Sequence, residues 1–208
     1  MPAHPFGDNA SELPLLDALA LLTKVLWDSI GDVVVAARNG MAMIQSIAKQ
    51  CSHEGKPLVW TTPTGFIVEQ AIYKSRSVRV ETALFGGIRI QLNEQTEEID
   101  SIKMQSSSAP NFVHSMDASH LIRSVNAFTG NGIQDIAVIH DSFGTHAGNT
   151  DTLRSCLRRE FVELYMDDQL GAFKDEVQSY LDSELEQEVP MVGTLDLLDV
   201  LESTYAFA

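Results

Sequence analysis

The sequence predicts a mixed α+β fold: helices packed on a small antiparallel sheet, with one β-hairpin that carries a carboxylate at its tip. Three observations lead there. Apolar residues recur at helical spacing through the first fifty residues and again after residue 110. Between Lys56 and Leu92 the period shortens to β-branched and aromatic runs broken by Pro and Gly. Finally, the apolar run Ile136, Ala137, Val138, Ile139 has Gly132 upstream and turns back at His140-Asp141-Ser142 through Phe143 and Gly144, as a short buried strand entering a hairpin does. At 208 residues and 44% hydrophobic, the chain can enclose one sizeable core. That core is expected in residues 13–208, behind a flexible lead at 1–12.

In chain order, Ser11 with Pro14 can cap and open a helix, and Leu15, Leu16, Leu19, Leu22, Leu26 and Ile30 keep its period. The helical start, 14–50, continues through Val33, Ala37, Met41, Ile44 and Ile47, with a break expected near Gly31. Its apolar face is wide, and the stretch Val33 to Ala37 is apolar all round, so this start is a candidate interface. The strand region, 56–92, reads as LVWTT, GFIVEQAIY, SVRVETALF and GGIRIQL, best joined as antiparallel strands or a ribbon. Residues 93–109 are polar and read as a surface loop. Pro110 then opens a helix, 110–130, with Phe112, Val113, Met116, Leu121, Val125 and Phe128 on its buried side. The hairpin occupies 132–148. An acidic helical part, 150–208, follows: a helix on Leu153, Leu157, Phe161, Leu164 and Tyr165, another around Phe173 to Leu185, and a short one in TLDLLDVLES.

The net charge of −15 argues against nucleic-acid binding by the whole surface, because phosphate neutralisation needs Lys and Arg. The charge is unevenly spread: residues 150–208 hold 14 acidic and 4 basic residues. From Tyr73 to Asn93, by contrast, Lys74, Arg76, Arg79 and Arg89 face only Glu81, which is either a local basic patch or a solvated strand face. Cys51 and Cys156 lack metal or redox spacing, so they read as reduced thiols of a cytosolic protein. The N-terminus has no secretory pattern, and no segment approaches the length of a membrane span.

Several groupings invite chemistry. A turn carboxylate such as Asp141 costs desolvation if buried and unpaired, so it either faces water or holds a cation such as Mg2+, which prefers oxygen ligands. His114, Asp117 and His120 fall one helical turn apart, a conceivable two-His, one-carboxylate iron site or simply a polar helix N-terminus. His140-Asp141-Ser142 has the residue types of a hydrolase triad, but neighbours in an extended chain alternate faces and cannot serve one another in series. Tyr165-Met166-Asp167-Asp168 spells a reverse-transcriptase hairpin motif, yet it ends a helical pattern with no flanking strands.

Three phrases, APNFVHSMDASHL (109–121), AVIHDSFGTHA (137–147) and DVLESTYAFA (199–208), in this order and spacing, resemble the C-terminal part of the single-subunit, phage T7-type DNA-directed RNA polymerases. Weaker similarity runs back through GGIRIQLNEQTEEID, WTTPTGFIV and LWDSIGDVVVAARNGM. The resemblance implies part of the palm and adjoining fingers of a right-hand polymerase. It implies that Asp141 is one of two carboxylates holding the catalytic Mg2+ ions, that His114 lies near the growing end of the RNA–template duplex, and that His140 contacts substrate or nucleic acid. Phe207 and Ala208 match a terminal dipeptide whose carboxylate lies close to the active site, and Lys74, Arg76, Arg79 and Arg89 would contact backbone phosphates without reading sequence. Met116, Ala118 and Tyr205 depart from the most familiar phage pattern. The implied reaction is nucleotidyl transfer with two cations roughly 3.5–4 Å apart, one activating the RNA 3′-hydroxyl and one clamping the triphosphate. The implied partners are a DNA template, the nascent RNA and nucleoside triphosphates, in the cytoplasm of a host cell.

The largest departure is an absence. The family's other metal-binding aspartate, and its fingers motif of the form RxxxKRxxMxxxYG, do not occur in this sequence. One carboxylate cannot anchor two cations, so the chain is expected to be inactive alone and to need the N-terminal remainder of the polymerase, as a separate chain or a missing segment. The alternative is a non-catalytic remnant that binds nucleic acid or protein.

Overall fold

The structure, a computed structural model, describes residues 14–82 and 87–205. The flexible lead expected at 1–12, the capping Ser11, and the terminal Phe207 and Ala208 lie outside the described residues. The elements run α1 (Leu15–Val33), α2 (Val35–His53), β1 (Leu58–Thr61), β2 (Ile67–Gln70), β3 (Tyr73–Thr82), β4 (Ile88–Ile99), α3 (Ser101–Gly130), β5 (Ile136–Ile139), β6 (Ser142–Thr145), α4 (Thr150–Tyr165), α5 (Gln169–Gln178) and α6 (Asp199–Glu202). Helices and small antiparallel sheets are mixed, as the sequence suggests. The strands do not form one sheet, however: they pair as three separate two-stranded ribbons, β1–β2, β3–β4 and β5–β6.

The helical start breaks at Val34, three residues after Gly31. Val33, Val34 and Val35 are β-branched in succession, which crowds the preceding turn and disfavours helix. Gly31 matters for another reason, since a Cβ there would lie 2.5 Å from Nη1 of Arg38; without one, Arg38 can lie across α1. Within α1 only Ala18 and Gly31 are buried.

The stretch 93–109 is not a loop. Its first part extends β4 to Ile99, and Asp100 then caps α3 by accepting the Lys103 N–H at 3.1 Å. Pro110 therefore lies inside a helix of 30 residues instead of opening one. The serine run before it reads as loop because hydroxyls compete with the backbone for hydrogen bonds. Here Ser107 and Ser108 donate back to the Lys103 and Gln105 carbonyls, at 2.6 and 3.0 Å, and the helix persists. Gln70 braces the same turn: its Nε2 donates to Ser107 Oγ at 2.9 Å, and its Oε1 accepts from Asn111 at 2.8 Å.

Two cores flank α3. Around its N-terminal half, α2, β1 and α5 bring Ile47, Leu58, Trp60, Met104, Phe112 and Phe173 together. The Trp60, Phe112 and Phe173 rings meet edge-on or tilted, 5.0–6.2 Å apart, and Trp60 donates its indole N–H to Ser115 Oγ at 3.0 Å. Around its C-terminal half, Phe128 packs with Leu153, Cys156 and Leu157 of α4, and Phe143 of the hairpin covers them. Arg123 ties the two helices together through Glu160 and Glu163, at 2.9 and 3.0 Å. Val113, expected on the buried side of α3, is 60% exposed. Both cysteines are buried and free, and burial pushes the Cys51 thiol up to about 11, which keeps it protonated and inert at neutral pH.

Candidate active site

The hairpin forms by the expected residues. Ile139 pairs with Ser142, which leaves His140 and Asp141 as a two-residue turn. Such turns favour a residue with positive φ, and His140 supplies it at +55° without being glycine. The strand leading in is half-exposed, not buried: Ile136 packs on the second core and Val138 is half-buried, whereas Ala137 and Ile139 are exposed. A two-stranded ribbon has only one face to lay on a core, so the run of four apolar residues overstated its burial.

The turn projects Asp141 into solvent over a cleft of about 530 Å³, whose walls are Val113, His114 and Asp117 of α3, His140 and Asp141 of the turn, and Phe161 and Tyr165 of α4. His114, His140 and Asp141, singled out from separate stretches of sequence, are thus brought together. His120 forms the floor. It is 5% exposed, its Nε2 lies 2.9 Å from the Leu157 carbonyl, and its ring meets Phe161 and Phe143 edge-on. A carbonyl only accepts, so Nε2 carries the proton. His120 is therefore a bolt between α3 and α4. That commitment removes one nitrogen from the conceived iron triad, and no group of three His, Cys, Asp or Glu side chains among the described residues is placed to hold a metal. Tyr165 has its phenol pushed up by burial and by the Asp117 charge, so it stays protonated at the cleft wall.

Asp141 also borders a second cleft of about 520 Å³ on the other side of the hairpin, shared with Phe143, Leu153, Leu157, Arg154 and Thr204. Sequence reasoning missed Arg154 and Thr204. The available signal was that Arg154 and Arg158, two of the four basic residues in the acidic C-terminal part, stand one helical turn apart. The Tyr165 to Asp168 phrase closes α4 and starts α5, with Asp168 capping the Gly171 N–H at 2.8 Å. It is not a catalytic hairpin.

The four basic residues of the ribbon are not one patch. Register puts Val78, Val80, Ile90 and Leu92 on one face with Arg76, and Arg79 and Arg89 on the other. Lys74 pairs with Glu98, Arg76 with Glu94 at 3.0 Å, and Arg89 with Glu81 at 2.7 Å. Glu94 and Glu98 lie on the return strand, just past the window in which only Glu81 was counted. None of the four lines the cleft that holds Asp141.

As a cation site, the turn offers the right donor type, a solvent-facing carboxylate oxygen for a hard ion, but too few donors to complete one.

Comparison with known proteins decides the family. The model of the DNA-dependent RNA polymerase family matches residues 7–189. The chain belongs to the DNA-dependent RNA polymerase family. It is 36% identical to T7 RNA polymerase of Escherichia phage T7 over 92% of this chain and 24% of that protein. It is 36% identical to the DNA-directed RNA polymerase of Enterobacteria phage K11 over 99% of this chain and 25% of the relative. DNA-directed RNA polymerase 2B, chloroplastic/mitochondrial, of Nicotiana tabacum is 34% identical over 97% of this chain and 19% of its own length. The T7-type resemblance holds along nearly the whole chain, and the chain spans about a quarter or less of these three polymerases.

Proposed function

We propose that this chain is the palm and adjoining fingers portion of a T7-type DNA-directed RNA polymerase, and that Asp141 is one of the carboxylates serving nucleotidyl transfer from nucleoside triphosphates to an RNA 3′ end on a DNA template. The observation that carries the reading is the meeting of Asp141, His140 and His114 in one open cleft, from a turn and a helix far apart in sequence. When bound, Mg2+ would supply activation of the 3′-hydroxyl and charge stabilisation on the triphosphate. Asp141 would hold it, on a two-residue turn that fixes the backbone presenting the carboxylate. His114, exposed on α3, would hydrogen-bond the nascent pair, and the buried ring of His120 fixes the helix that presents it. Arg79 has no ion pair among the described residues, which suits a phosphate contact better than the paired Lys74, Arg76 and Arg89 do.

Half a cation site needs its complement from a polypeptide carrying the other carboxylate and the fingers motif. The test mixes this chain with such a polypeptide, template and nucleotides. RNA synthesis is expected from the mixture and from neither component alone; incorporation by the pure chain would contradict the reading. A mixture that binds template but makes no RNA would favour the non-catalytic remnant.

A further inference from the structure

α6 and the segment after it are fastened to α4 by two guanidinium groups. Arg158, 7% exposed, donates from Nη1 to the Leu201 carbonyl at 3.1 Å. Arg154, one turn earlier, donates from Nη2 to the Thr204 carbonyl at 2.7 Å. These carbonyls lie in and just past α6, where no later helical turn supplies N–H donors to them, so the guanidinium groups complete an otherwise open end. Holding two cations there has a cost: burial and the neighbouring Arg154 charge both lower the basicity of Arg158. The carbonyl dipoles offset that repulsion, which ties the position of the segment to both side chains.

Arg154 and Thr204 also line the second cleft, opposite Asp141, Ser142 and Phe143. We infer that Arg154 and Arg158 are positioning residues, which hold Leu201 to Thr204 on α4 as the wall facing the hairpin tip and thereby set the surroundings of Asp141. Its bearing on catalysis rests on the role proposed for Asp141; the clamp itself rests only on the fold.

The test uses the whole chain with no partner or nucleotide, so its outcome is separate from that of RNA synthesis. Amide exchange and backbone NMR spectra are compared for Arg154→Ala, Arg154→Lys, Arg158→Ala and Arg158→Lys. Loss of either guanidinium should speed exchange at residues 199–205 by about tenfold while leaving α3 and the rest of α4 unchanged. The lysine variants, which keep the charge but lose the fork, should fall between. The Asp141 and Phe143 resonances should move in proportion to release of the segment across the series, including the Arg158 variants, whose side chain does not line that cleft. Unchanged exchange at 199–205 in Arg154→Ala and Arg158→Lys would overturn the inference. Release of the segment with no movement at Asp141 would overturn it equally, as would a general loosening of α4.

Discussion

At the scale of single residues, the site depends on one unusual backbone position. His140 holds φ at +55°, which costs a non-glycine residue about 1–2 kcal/mol. His140→Asn should therefore keep the turn, whereas His140→Val should lower stability by about 1–2 kcal/mol more than the Asn change, read by urea unfolding. Glu54, which lines neither cleft beside Asp141, provides a pH marker. It accepts hydrogen bonds from Ser183 Oγ and from the Asp182 and Ser183 N–H groups, with Lys56 at 3.1 Å, and these hold its carboxyl down to about 2 from an ordinary 4.5. A depressed carboxyl stabilises the fold when ionised. The contribution is fully present above pH 4.5 and lost as pH falls from there to about 2. The gap in Tm between the wild type and Glu54→Gln should be widest near neutrality and close across that interval.

At the scale of elements, the hairpin stays in place because Phe143 sits on the core beneath it. Phe128, fully buried among Leu153, Cys156 and Leu157, is the centre of that core. Phe128→Ala should cost about 3–5 kcal/mol and speed amide exchange in β5 and β6 more than in α2. Elements whose period and punctuation agree were legible in the sequence: α4 from its apolar spacing, and the turn at His140-Asp141 from the polar residues that end an apolar run. Residues 93–109 were not. Polar side chains on a ribbon that projects into solvent look like loop, and serines that bond backward inside a helix look like serines in a turn. The pairing of Arg76 with Glu94 and Lys74 with Glu98 was also hidden, because cross-strand partners lie far apart in sequence. The same limit applies to the cleft. Asp141 and His114 could be named from their phrases, but Arg154 and Thr204 become neighbours of Asp141 only through the packing of the C-terminal segment on α4.

At the scale of the whole molecule, the exposed apolar surface of the first two helices fits a chain that spans about a quarter of its phage relatives. Leu16, Trp27 and Val33 are 80%, 60% and 83% exposed, and Trp27, Ile30, Val34 and Met41 line a groove of about 270 Å³. An apolar groove of this kind suits a protein partner. Trp27→Ser with Ile30→Ser should weaken binding of the complementing polypeptide by about 2–4 kcal/mol, while changing the stability of this chain by about 0.5 kcal/mol or less. Isothermal titration of the two polypeptides against each other reads the first quantity, and thermal unfolding of the isolated chain reads the second. The role proposed for Asp141 is that its carboxylate serves nucleotidyl transfer. It is tested most directly by comparing wild type and Asp141→Ala in the complemented mixture, after equal folding and equal association have been verified. The substitution should abolish RNA synthesis while template binding persists; synthesis at the wild-type rate would rule out a role for Asp141 in the transfer.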